Sequence, residues 1–121
     1  MESIRVKRIY EVPTPDDGFR VLVDRIWPRG ITKATAAVDL WMKEVAPSSE
    51  LRQWFGHDPA RWEEFRRRYH GELGARQDLL AELQAHAAKG RLTLVFSAHD
   101  AAHNQAVVLR EALEGKASPT Q

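Results

Sequence analysis

Two apolar runs in this chain turn abruptly polar, and that pattern predicts where its crevice lies. The first is Val21-Leu22-Val23, continuing through Asp24-Arg25-Ile26-Trp27-Pro28-Arg29-Gly30. The second is Leu92-Thr93-Leu94-Val95-Phe96, continuing through Ser97-Ala98-His99-Asp100 and then Ala101-Ala102-His103-Asn104. Continuous apolar runs of this length read as strands covered on both faces. Open α/β sheets hold their ligands at the carboxyl ends of such strands. One strand therefore delivers Asp24, Arg25 and Arg29 to a prospective site, and the other delivers Ser97, His99 and Asp100.

The remaining pattern supplies the rest of the fold. Ile4 to Tyr10 alternates imperfectly, with Ile4 and Val6 on one face and Arg5 and Lys7 on the other, as in a strand near a sheet edge. Prolines and a glycine make residues 12–18 a loop. The second strand is expected from Phe19 to Ile26, ended by Pro28 and Gly30. Thr32 to Ala37 predicts a short helix, and Val38, Leu40 and Met42 alternate as a third strand before Ala46-Pro47. Ser48 or Ser49 caps a helix running to Phe55. Asp58-Pro59 opens another, an acceptor followed by proline at the first helical position.

Trp62, Phe65, Tyr69 and Leu73 form the apolar face of that helix, opposite Glu63, Glu64, Arg67 and Arg68. Gly71 and Gly74 are expected to break or bend it. Leu79, Leu80, Leu83 and Ala87 mark a further helix ending near Gly90. Asp100 is expected to cap a last helix carrying Val107, Val108, Ala112 and Leu113. The predicted architecture is α/β, a single compact domain over residues 1–114. It has a mostly parallel sheet of about four strands with flanking helices, in two or three layers. Residues 115–121 are expected to form a flexible tail.

Composition narrows the function classes. The chain has 121 residues, 43% hydrophobic and 29% charged, which suits one globular domain with its own core. It has no cysteine, which excludes disulfides, thiolate catalysis and cysteine-bound metal. A net charge of +1 gives no global field to gather nucleic acid or an anionic membrane. No segment has signal-peptide or membrane-span character, so a cytoplasmic protein is expected.

The strand ends carry the chemistry. Arg25 and Arg29 flank a rigid Trp27-Pro28 turn, and a guanidinium fork suits phosphate or carboxylate. Ser97 and Asn104, with backbone N–H groups of residues 98–104, would add donors. Asp24 or His99 is the acid–base candidate. The same residues also fit a structural reading: Asp24 pairing with an arginine, Trp27 in the core, Asp100 as a cap only and the histidines solvated. Ser97 lies in neither a P-loop nor a G-x-S-x-G elbow, which argues against a serine nucleophile.

His99 and His103 have the spacing of a helical metal site, with Asp100, His57 or His70 as a third ligand. No H-E-x-x-H pattern exists and Asp100 is better used as a cap, so no metal and no cofactor are expected. The leading reading is a small-anion site, on an enzyme of a phosphorylated or carboxylated metabolite or on a binding domain.

A second reading comes from Trp54-Phe55-Gly56-His57-Asp58-Pro59-Ala60-Arg61-Trp62, flanked by Arg52. It is a non-catalytic module that grips nucleic acid or a protein partner through Trp54, Trp62 and the arginines. Aromatics at helical spacing are more often packing residues, however. Arg66-Arg67-Arg68 sits among Glu63, Glu64 and Glu72, as on a salt-bridged surface.

Four ordered motifs also resemble a known family. They are Val23–Gly30, Leu40–Ser48, Trp54–Trp62, and Ser97–Asp100 with His103–Ala106. Together they resemble the YeaO-like family of small bacterial proteins, from about Arg5 to Leu113. That family belongs to a larger group called a domain of unknown function. The resemblance implies a compact α/β domain and brings no established reaction. It also implies cysteine at the Ser97 position in some distant relatives, and lysine often at the His99 position. Thiol chemistry there cannot extend to this chain, and a lysine would serve as a cation only.

Overall fold

Val21, Leu22, Val23, Leu92, Leu94 and Val95 are all fully shielded from solvent, as expected of central strands with both faces covered. The structure, a computed structural model, describes residues 4–115; the expected tail beyond Gly115 lies outside the described residues. The strands are β1 (Ile4–Arg8), β2 (Phe19–Leu22), β3 (Leu40–Trp41) and β4 (Leu92–Phe96). They form one sheet in the order β1-β4-β2-β3, with every neighbouring pair parallel. Val21 lies opposite Leu94 and Leu22 opposite Val95, so β2 and β4 end side by side.

The helices are α1 (Lys33–Ala36), α2 (Ser49–Phe55), α3 (Trp62–Gly74), α4 (Gln77–Lys89) and α5 (Gln105–Leu113). Alternation along the strands divides the core in two. Val21, Val23, Leu92, Leu94 and Phe96 join the larger cluster with side chains of α2 to α5, such as Phe55, Phe65, Tyr69, Leu83 and Leu109. Leu22 and Val95 point the other way, toward Ile9, Ala36 and the half-buried Trp27 and Trp41. The molecule is thus a single α/β domain with a four-stranded parallel sheet, helices massed on one face and a thin cover on the other.

Several local expectations are corrected. β2 stops at Leu22 instead of running to Ile26. Val23 N–H still bonds Val95 O at 3.0 Å, but the Ser97 N–H then donates to the Asp24 carboxylate at 3.2 Å instead of extending the ladder. The third strand shrinks to Leu40–Trp41, because Lys43–Val45 coils into a 3₁₀ turn. Gly71 stays inside α3, and only Gly74 ends it. Tyr69 and Leu73 are buried on either side of Gly71, and their packing outweighs the roughly 1 kcal/mol that glycine costs a helix.

Asp100 does not cap α5. Asn104 does, accepting from Ala106 N–H at 3.0 Å and Val107 N–H at 3.3 Å. Asp100 instead closes the preceding turn on Ala102 N–H and His103 N–H. Both residue types make good caps, and the extended backbone at Asn104 decides between them.

The loop before β2 holds a buried ion cluster. Asp17 is fully buried and accepts from Lys7 Nζ at 3.1 Å, Arg20 at 2.6 Å and Thr14 N–H at 3.1 Å. Its own carbonyl accepts from Thr93 Oγ1 at 2.6 Å, tying the loop to β4. Among the described residues, no helix is long and apolar enough to cross a membrane.

Candidate functional site

A cleft of about 670 Å³ opens at the carboxyl ends of β2 and β4. That volume lies within the range of small-molecule sites, roughly 300–1,000 Å³. One wall is the segment after β2, with Asp24, Arg25 and Arg29. The facing wall is the segment after β4, with Ser97, His99 and Asn104. All six residues expected at the site therefore line one cleft. The sheet order puts them there, because β2 and β4 are neighbours whose apolar runs end together.

Asp24 forms the floor. It is 8% exposed, and its carboxylate accepts three hydrogen bonds. Ser97 Oγ donates to Oδ2 at 2.5 Å, Ser97 N–H donates to the same oxygen, and Gln105 Nε2 donates to Oδ1 at 2.6 Å. Burial pushes the Asp24 carboxyl above its ordinary range. The bonds from Ser97 and Gln105, and the charge of Arg52, pull in the other direction without cancelling it.

The arginines differ in role. Arg25 donates to the carbonyls of Ala46 and Pro47 at 3.2 Å, bracing the turn that leads to α2. Arg29 is exposed after the buried Pro28. Its carbonyl accepts from Tyr10 Oη at 2.7 Å, while its guanidinium has no hydrogen-bond partner among the described residues. Arg52, on α2, also reaches the cleft without such a partner, close enough to Asp24 for its charge to be felt there.

The segment after β4 fixes both histidines. Arg8 donates through Nε to Ala98 O at 2.9 Å and lies 3.2 Å from His99 Nδ1. A guanidinium only donates, so Nδ1 accepts and the neutral ring carries its proton on Nε2. His103 Nδ1 lies 2.7 Å from Asp100 Oδ2, and a carboxylate only accepts, so Nδ1 carries a proton and donates it. The His103 bond, then the Ala102 N–H, hold the Asp100 carboxyl below its usual range. Asn104 is 2% exposed: Oδ1 caps α5, and one Nδ2 hydrogen goes to Asp100 O at 2.9 Å. It shapes the wall.

The sequence pattern did not place Arg52 or Gln105 in this cleft, or Arg8 against His99. Arg52 sits on an exposed helical position, Gln105 at the start of α5 and Arg8 on an edge strand, and only tertiary packing brings the first two into the cleft lining and Arg8 onto the segment after β4. Among the described residues, no group of three or more His, Asp or Glu side chains gathers closely enough to hold a metal.

The aromatic block is internally occupied. Trp62 lies 5.7 Å from Phe65 and 6.0 Å from Phe55, and meets His103 edge-on at 5.1 Å. Arg68 and Arg61 lie over the Trp54 ring at 4.4 and 5.2 Å. Glu64 pairs with both Arg67 and Arg68. Both tryptophans are half-buried and engaged by neighbouring side chains.

The comparisons with known proteins agree with the motifs. A family model described as the inactive DUF488-N3 subclade matches residues 3–121. The chain belongs to the DUF488-N3 inactive subclade. An uncharacterised protein of Mycobacterium tuberculosis is 47% identical over 113 residues, covering 93% of this chain and 95% of that protein. The uncharacterised Escherichia coli protein YeaO is 41% identical over 109 residues, covering 90% of this chain and 95% of its own. No solved structure matches. The YeaO-like resemblance therefore holds across this DUF488-N3 chain.

Proposed function

We propose that this chain is a small-anion-binding domain whose cleft takes a phosphate- or carboxylate-bearing ligand. The observation that carries the proposal is Arg29 and Arg52. Both face the cleft, and neither guanidinium makes a hydrogen bond among the described residues. A guanidinium with no structural task is available to a ligand, and its fork matches a tetrahedral or planar oxyanion. The acidic groups of the cleft offer these arginines little competition. Asp100 is committed to His103, and Asp24 is already surrounded by donors.

Binding without turnover is the reading favoured here. The subclade's description as inactive supports it. So does the occupation of Asp24 by three donors and of His99 Nδ1 by Arg8, which removes ready acid–base capacity from both catalytic candidates.

The test is calorimetric titration with phenyl phosphate. Arg29→Ala and Arg52→Ala should each weaken binding at least about tenfold while the melting temperature stays near that of the parent. Arg29→Lys should bind between the two, since an ammonium keeps the charge but loses the fork. A fall in melting temperature with affinity unchanged would make Arg29 a structural brace and remove the proposal's main support. Absence of binding at millimolar phenyl phosphate would refute it.

A further inference from the structure

The polar groups of the cleft are arranged in two zones. At the floor the donors nearest Asp24 are turned onto its carboxylate. Ser97 gives both its N–H and its hydroxyl proton to Asp24, and Gln105 gives its amide to the same carboxylate. One Asn104 Nδ2 hydrogen goes to Asp100 O, and His103 Nδ1 faces Asp100 Oδ2. What remains open there is mostly acceptor: the Ser97 oxygen lone pairs, Gln105 Oε1 and the unused capacity of Asp24, beside the second N–H of Gln105 Nε2. A carboxylate offers about four lone-pair positions, and Asp24 uses three. Gln105 Oε1 has no partner among the described residues.

The second zone is cationic, with Arg29 and Arg52 unpaired. The lining also includes the apolar rings of Phe55, Phe65 and Trp27. An anion alone would satisfy Arg29 and Arg52 and leave the acceptor floor unmatched. Buried acceptors without donors cost binding free energy.

We infer that the cleft selects a zwitterionic small molecule, one carrying an amino group for the Asp24–Ser97–Gln105 floor, an apolar or aromatic body, and a phosphate or carboxylate for Arg29 and Arg52. An ammonium suits the floor better than a hydroxyl. It supplies three donors and a positive charge beside a buried carboxylate that Arg52 influences by its charge without hydrogen-bonding it. This assignment rests on the anion-binding proposal and adds the second end of the ligand.

Three matched probes separate the two ideas: 4-(2-aminoethyl)phenyl phosphate, 4-ethylphenyl phosphate and tyramine. The first carries both charged ends, the second only the anion, the third only the amine. By calorimetry at neutral pH, the aminoethyl compound should bind the parent protein at least about tenfold tighter than the ethyl compound, and tyramine should be weakest. Asp24→Asn should bring the two phosphates within about twofold of each other. Gln105→Leu, which removes the Oε1 acceptor at a half-buried position, should narrow the gap at least about threefold and gives a reading even if Asp24→Asn does not fold.

Equal binding of the two phosphates to the parent protein would overturn the zwitterion inference and leave the anion proposal standing. Tyramine binding as tightly as its phosphate would overturn the anion proposal. Binding of none of the three would overturn both.

Discussion

Asp17→Asn perturbs the one fully buried carboxylate of the loop before β2, and its effect can be worked from the contacts. Asp17 is held by Lys7, Arg20 and Thr14, and these bonds keep its carboxyl down to about 2 despite the cost of burial, which is the largest single influence and acts upward. Depression from 3.8 to about 2 corresponds to at most about 2 kcal/mol of charge stabilisation. The mutation also leaves Arg20, 3% exposed, without its anion. Truncating one partner of a buried pair typically costs about 3–5 kcal/mol. Asparagine keeps the Thr14 contact in part, so a loss of about 3 kcal/mol at pH 7 is expected.

The sign of the pH dependence follows from the direction of the shift. A carboxyl depressed in the folded state contributes stability above its unfolded value, and that contribution is lost as pH falls through the folded value. The gap between parent and Asp17→Asn should therefore be widest at neutral pH and shrink between about pH 4 and pH 2, where the parent's Asp17 itself becomes neutral. Asp24 is shifted upward, so its contribution runs the other way: present at low pH and lost as pH rises through the folded value. Both proteins share that term, and it cancels in the difference. Urea unfolding followed by tryptophan fluorescence across pH 2–7 measures the gap. A loss below about 1 kcal/mol at pH 7, or a gap that does not depend on pH, would refute the assignment of Asp17 as the loop's charge hub.

Other substitutions check the packing. Gly18→Ala places a Cβ 2.2 Å from Arg91 O at a φ of +64°, so strain plus overpacking should cost about 2–4 kcal/mol in the same unfolding assay; a neutral result would mean that the turn is drawn wrongly. Trp62→Ala should cost about 3 kcal/mol by removing the ring between Phe55, Phe65 and His103. Arg67→Ala, on the solvent face, should leave the unfolding midpoint within error, and matching effects from the two would reverse the assigned faces of α3. Asn104→Ala should cost about 1–2 kcal/mol through loss of the α5 cap, whereas Asp100→Ala should leave α5 intact by hydrogen exchange.

How far the sequence could be read follows from the kind of force at each position. The sheet centre was legible because Val21-Leu22-Val23 and Leu92–Phe96 leave no polar face, and only a doubly covered strand accommodates that. The position of the cleft was legible because both runs end in polar residues and parallel neighbours end together. The division of labour among its side chains was not. Arg25 and Arg29 look alike in sequence, but one is clamped on Ala46 and Pro47 while the other is unpaired. Asn104 and Asp100 are equally good caps, and only the path of the loop chooses between them. Arg52 and Gln105 enter the cleft through helix packing, which no local pattern encodes. Gly71 reads as a breaker until Tyr69 and Leu73 hold the helix against the core.

The most direct measurement is a ¹H–¹⁵N correlation titration of the labelled protein with phenyl phosphate. Saturable shifts are expected in residues 24–29, around Arg52 and in residues 97–105, together with the side-chain Nε signals of Arg29 and Arg52. Shifts concentrated on the outer face of α3 or along β1, or no saturable shift at millimolar ligand, would contradict the anion-binding proposal.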